Sequence, residues 1–209
     1  MRALPWLLLL ASYLVGAFPT SFVVGRLARG IDLRQHGSGN LGATNVFRVL
    51  GWKAAVPVFL FDIFKGFAPT FFFPRIDGSP AWEWALAFGA AAILGHVYSV
   101  YVGFKGGKGV ATSAGVFLAL APWALLFALV VWLTVLAISR IVSIASILAA
   151  LTVPPMVYVT EGIGPVFWLS VALVTFVIWA HRTNIGRLLR GTEHRFTGRR
   201  RASRAGEAH

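Results

Sequence analysis

Apolar and polar residues along this chain separate into long blocks and do not alternate. Apolar runs extend over Leu4–Val24, Ala54–Phe73, Trp84–Val102, Val110–Ile138, Ile141–Val159 and Val166–Ala180. Five of them have the length at which a helix crosses a hydrocarbon core of about 30 Å. Val110–Ile138 differs: at 29 residues a single helix would be about 44 Å long, more than one crossing needs. Pro122 stands near its middle, after Leu120 and Ala121, and predicts a turn that divides the run into two short spans. The leucines behind Arg2 also suggest a secretory signal, but the run continues to Val24 without an Ala-x-Ala site and is expected to stay.

Basic residues decide how many spans there are. With the N-terminus outside and seven spans, the cytoplasmic side holds Arg26, Arg29, Arg34, Arg48, Lys53, Lys105, Lys108, Arg140 and the eight arginines from Arg182 to Arg204. Arg2 and Arg75 remain outside, and Lys65 falls within a span. Six spans would export either the arginine-rich tail or the two basic loops, against the positive-inside rule. The expected fold class is therefore all-α: a polytopic membrane protein of seven transmembrane helices, N-terminus outside, C-terminus cytoplasmic. Residues 1–196 form one membrane-embedded domain, and 197–209 a basic, disordered tail drawn to anionic lipid. The connections around Arg75–Ala81 and Glu161–Gly164 read as external turns.

Composition agrees with this. The set AVILMFWYC makes up 57% of the 209 residues and DEKR only 12%, where a soluble domain has about 45–50% and about 25%. So little charge cannot coat a water-facing globule. The absence of cysteine excludes disulfides, thiol nucleophiles and thiolate-held metals. A net charge of +12 calls for anionic partners, here phosphates and lipid headgroups and not nucleic acid.

Three polar stretches fall on one face. The first, His36–Asn45, leads into Val46–Gly51. Its Gly37, Gly39 and Gly42 fit a dinucleotide-binding G-x-G-x-x-G, but no strand precedes them, so that reading is rejected. Glycines still let backbone N–H groups approach an anion. A short helix over Ala43–Leu50 would add its N-terminal charge and place Arg48 one turn along. The plain alternative is a flexible loop before a capped helix. The second stretch, Gly103–Gly109, carries Lys105 and Lys108 around Gly106 and Gly107. It lacks the spacing of a Walker A loop, yet lysines on a glycine hinge make a phosphate cradle; ordinary anchoring of juxtamembrane lysines is the alternative. The third, His181–Phe196, sets His181 and Asn184 at i, i+3 on a helix with three arginines behind them. An interfacial anchor is again the alternative. Of the seven acids only Asp32 and Glu193 lie near these stretches, so a two-metal or carboxylate-dyad mechanism lacks ligands, and neither metal nor cofactor is expected. Asp62 and Lys65 in the second span read as a self-neutralising structural pair more than as a transport relay.

Together these motifs resemble the PlsY family. Gly37–Asn45 (GSGNLGATN), Lys105–Thr112 (KGGKGVAT) and His181–His194 (HRTNIGRLLRGTEH) look like its three signatures in order, spacing and face. The likeness runs from about Leu10 to Phe196. It implies a seven-span bacterial acyl-phosphate:glycerol-3-phosphate acyltransferase of the cytoplasmic membrane that makes lysophosphatidic acid without a covalent acyl-enzyme. Carried over by motif, Ser38, His181 and Asn184 are the implied catalytic residues. Arg48, Lys108, Asn40, Asn45, Gly106, Gly107 and, at the start of the sixth span, Ser146 are the implied phosphate-binding ones. Acyl phosphate, glycerol-3-phosphate and the bilayer are the implied partners, and the enzyme is expected to act as a monomer. A lipid carrier with basic loops is the leading alternative from another class, but no inverted repeat or broken midplane helix supports it.

Overall fold

The structure, a computed structural model, describes residues 3–76 and 82–196, and every regular element among them is helical. The first apolar run is two helices, α1 (Leu4–Ala17) and α2 (Thr20–Arg29). They part at Phe18–Pro19, because proline has no N–H to continue the ladder. A short helix α3 (Ala43–Leu50) forms where the glycine-rich stretch ends, as expected, and α4 (Trp52–Ile76) and α5 (Trp82–Val97) follow. The long fourth run does divide. Helix α6 (Val110–Leu120) stops at Ala121, whose backbone turns to φ −150°, ψ 70°, and α7 (Pro122–Ser139) starts with proline in its first turn. Helices α8 (Val142–Glu161) and α9 (Pro165–Ala180) complete the bundle. At His181 the chain bends by 55° into α10 (Arg182–Leu189).

Among the described residues five helical stretches are long and apolar enough to cross a membrane, or six if the bent α9–α10 pair is one span. The seven-span count differs because α6 has only 11 residues, about 17 Å at 1.5 Å per residue. Part of the turn near Arg75–Ala81 and the tail from Thr197 lie outside the described residues.

Helices pack in pairs: α1 on α5, α4 on α6, α7 on α8. Small residues permit the first two crossings. A Cβ on Gly16 would overlap the Ala92 carbonyl, and one on Gly115 would overlap that of Ile63. One core cluster, including Phe117, Ala128, Val153 and Leu173, joins α5–α9. A second gathers Leu33, Leu41 and Val46 with Ala55 and Val58 of α4, and pins the glycine-rich loop to the bundle.

The helix break and the ionisable pair in α4 account for one another. Lys65 Nζ lies 2.8 Å from Asp62 Oδ1, each side chain 2% exposed. The amine also donates to the Phe18 carbonyl at 3.0 Å, and Thr20 Oγ1 donates to Asp62 at 3.2 Å. The pair is thus hydrogen-bonded within the fold, as the structural reading expects.

Candidate active site

The first polar stretch is folded around Asn45, itself 1% exposed. Its Oδ1 accepts from the Ser38 N–H at 2.8 Å, and its Nδ2 donates to the carbonyls of Leu33 and His36 at 3.1 and 3.0 Å. Gly37 adopts φ +64°, and a Cβ there would strike the Asn45 amide, so the tight turn needs glycine. Arg34 fastens the loop from outside, gripping Asp32 and donating to the Val102 carbonyl at 3.0 Å. This construction turns Ser38 and Asn40 toward a cavity of about 230 Å³ and brings Arg48, on α3, to its wall.

The second and third stretches meet on the other side of the cavity. Lys108 Nζ donates to Asn184 Oδ1. Asn184 Nδ2 in turn donates to Glu193 Oε1 at 2.6 Å, Arg187 Nε to Oε2 at 2.6 Å, and Ser143 Oγ to Oε1 at 3.1 Å. Burial alone would raise the Glu193 carboxyl, but these donors hold it below the usual carboxylate range. It is therefore an anion that orders the cations beside it. Burial pushes the Lys108 amine down to about 8; Glu193 opposes the shift and Arg187 and Arg48 add to it. His181 sits at the bend, 3% exposed. Its Nδ1 lies 2.8 Å from the Val177 carbonyl, which only accepts, so that nitrogen carries the proton and Nε2 keeps its lone pair. Burial, reinforced by Lys108, pushes the imidazole down to about 4.

Ser38, Asn40, Asn45, Arg48, Lys108, Ser146, His181 and Asn184 all line this cavity, although they come from four parts of the chain. Ser146 is 4% exposed, and its hydroxyl accepts from Trp132 Nε1 at 3.2 Å. Gly106 and Gly107 are placed differently from the expectation. Their N–H groups donate to the carbonyls of Val97 and His96 at 3.0 and 3.1 Å, and they are not part of the cavity wall. Their amides cap the end of α5 and are not free to cradle a phosphate. In the sequence Glu193, Ser143 and Arg187 stand within or beside the motifs, but nothing there assigns any of the three a role. The one available signal was an acid placed among the arginines of an otherwise basic stretch.

Away from the polar groups the cavity continues between apolar side chains of α6–α9, among them Phe117, Leu129, Val153 and Leu173. A cationic, amide-rich mouth thus opens onto an oily arm, a shape for a molecule with a phosphate at one end and a hydrocarbon chain at the other.

Comparison with known proteins agrees. The family profile described as "Glycerol-3-phosphate acyltransferase" matches residues 6–191. A glycerol-3-phosphate acyltransferase of Aquifex aeolicus is 44% identical over 94% of this chain and 100% of its own length. That of Desulforudis audaxviator is 46% identical over 96% and 100%. The crystal structure of PlsY, an integral membrane glycerol 3-phosphate acyltransferase, in its glycerol 3-phosphate form superposes with a TM-score of 0.86 at 42% identity, covering 92% of this chain and 96% of that one. Its lysophosphatidic acid form gives 0.84 at 41% identity. With its motifs gathered at one cavity and this match over nearly its whole length, the chain belongs to the glycerol-3-phosphate acyltransferase family of integral membrane enzymes.

Proposed function

We propose that this enzyme transfers the acyl group of an acyl phosphate to the sn-1 hydroxyl of glycerol-3-phosphate, releasing lysophosphatidic acid and inorganic phosphate. The observation that carries the reading is the two-part cavity, with Arg48 and Lys108 at its mouth and an apolar arm between helices. Two phosphates must be held together against their repulsion, and the cations there offset it. Orientation of the two bound substrates supplies about 7–11 kcal/mol of barrier reduction.

The hydroxyl oxygen attacks the acyl carbonyl carbon, the bond from that carbon to the phosphate oxygen breaks, and phosphate leaves with the proton. An acyl-enzyme is not needed, because a mixed anhydride already has an activated carbonyl. Among the described residues no serine hydroxyl is hydrogen-bonded to a histidine, which also speaks against an activated serine nucleophile. Ser38 contributes a hydroxyl to the mouth. His181 Nε2 accepts from the glycerol hydroxyl and orients it, and Asn184 holds Lys108 in place. Asn40 and Asn45 serve the first phosphate site, Asn45 through the loop it braces. Ser146 stands where the mouth gives way to the arm.

We place seven spans in a bacterial cytoplasmic membrane, N-terminus outside and site on the cytoplasmic face, on the strength of the charge asymmetry; the enzyme is read as a monomer because one chain supplies the whole cavity. Purified enzyme in a lipid-like phase, supplied with acyl phosphate and glycerol-3-phosphate, should release phosphate and lysophosphatidic acid in equal amounts, with EDTA present. Sustained turnover on acyl-CoA or acyl carrier protein without acyl phosphate would overturn the donor assignment.

A further inference from the structure

The second motif is clamped onto the end of α5. Phe104 N–H donates to the Ser99 carbonyl at 2.7 Å, and Gly106 and Gly107 donate to Val97 and His96. Ser99 Oγ reaches the Ala17 carbonyl at 2.5 Å, tying the same turn to α1. The side chain of His96 then fills the space beneath the strap. A Cβ on Gly107 would overlap the imidazole at Nε2, Cε1 and Cδ2, so ring and backbone are in direct apposition one residue before Lys108. The opposite edge of the ring faces the ion pair in α4, with His96 Nδ1 3.8 Å from Asp62 Oδ1. That nitrogen is buried and has no hydrogen-bond partner among the described residues. A leucine would fill the same space without leaving a polar atom unpaired at the wall of the cavity, which His96 and Asp62 both line. Asp62 cannot retreat, being held by Lys65 and Thr20.

We propose that His96 is a positioning residue for the second motif: its ring, backed by Asp62, is the floor on which Gly107 rests, and it sets the height at which Lys108 enters the cavity. The proposal rests on the reading above, in which Lys108 holds substrate phosphate. Gly107 is glycine here because the floor leaves no room for a side chain.

The test is whether a change beneath the strap undoes a change within it. Gly107→Ala should raise the KM for glycerol-3-phosphate by about ten- to a hundredfold, since a shift near 1 Å at a site is felt on that scale. His96→Asn keeps a polar group facing Asp62 but removes the ring atoms that the new methyl would strike. Adding it to Gly107→Ala should therefore bring KM back at least several-fold, although His96→Asn alone raises it. A merely structural histidine would lower the yield of folded enzyme and leave no such reversal in KM. Defects that multiply in the pair, or an unaltered KM in Gly107→Ala, overturn the proposal. If Gly107→Ala cannot be recovered folded, the pair decides: a folded pair with a KM within a few-fold of that of His96→Asn alone supports the proposal, and a pair that stays unfolded or has a KM far above it overturns the proposal. Lys108→Ala is measured alongside: an unchanged KM there overturns the site reading and this proposal together. A raised KM there without reversal in the pair overturns only the role of His96.

Discussion

Lys108 should make substrate binding sensitive to pH on the alkaline side. Burial has pushed its amine to about 8, so in the empty enzyme the charge that attracts phosphate is present below that pH and disappears above it. The second ionisation of a phosphate monoester, near pH 6, is complete by then and contributes nothing to the change. Above pH 8 the apparent KM for glycerol-3-phosphate should rise by about tenfold per pH unit, the slope for loss of one required proton. Lys108→Ala should lose a charge-assisted contact worth about 1.5–3 kcal/mol, roughly ten- to more than a hundredfold in KM, and its KM should no longer depend on alkaline pH. Lys108→Arg should also flatten the profile, because a guanidinium stays charged, while binding less well at neutral pH for want of an ammonium's compact shape. Initial rates between pH 7 and 9.5, paired with calorimetric titration of glycerol-3-phosphate, separate KM from true affinity. A wild-type KM that is flat across this range, or an alkaline rise that survives in Lys108→Ala, would refute the assignment of that charge to Lys108.

Arg48→Lys should raise KM for the phosphate substrates despite keeping the charge, because an ammonium cannot replace a fork of donors; kinetics unchanged from wild type would contradict this. His181 already carries its proton on Nδ1 and is neutral well below pH 6, so His181→Gln should keep substantial kcat with an unchanged acidic limb. Loss of activity together with the disappearance of an acidic limb near pH 4 would instead make it the general base. Glu193→Ala leaves Arg187, Asn184 and Ser143 without their shared acceptor and should lower stability by about 3–5 kcal/mol, read as a fall in Tm in detergent. Single cysteines at the exposed Lys105 and at Gly162 should label from opposite sides of the membrane, and labelling from the same side would sink the proposed topology.

The pattern of apolar runs located nearly every membrane helix, because a span must be apolar over a length set by the bilayer. Ala43–Leu50 and the break before Pro122 were legible for local reasons, glycine on one side and a missing N–H on the other. The interruption at Pro19 is not marked in the sequence, because the residues around it stay apolar; what stabilises it is a lysine 47 positions from Phe18. The site was legible as a set of motifs but not as a geometry. Gly106 and Gly107 resemble a phosphate cradle in sequence, yet their amides are spent on carbonyls of α5, a pairing that only the tertiary turn creates. Glu193 gave no recognisable signal as the centre of the cationic wall, because its three partners come from α8 and α10.

The break between α1 and α2 also bears on how the protein is made. A lysine and an aspartate at the centre of a helix each cost about 2.5–3.5 kcal/mol to insert, which burdens α4 as it leaves the ribosome. Placed one turn apart, Asp62 and Lys65 neutralise each other within the segment itself, so α4 enters the bilayer carrying a dipole instead of two charges. Their remaining partners, the Phe18 carbonyl and the Thr20 hydroxyl, belong to a segment synthesised earlier and already embedded. The N-terminal span is thus in place to offer α4 its missing partners, and Lys65→Met, which leaves Asp62 charged with no partner of opposite sign on its own helix, should expose α4 to membrane quality control before any catalytic site exists.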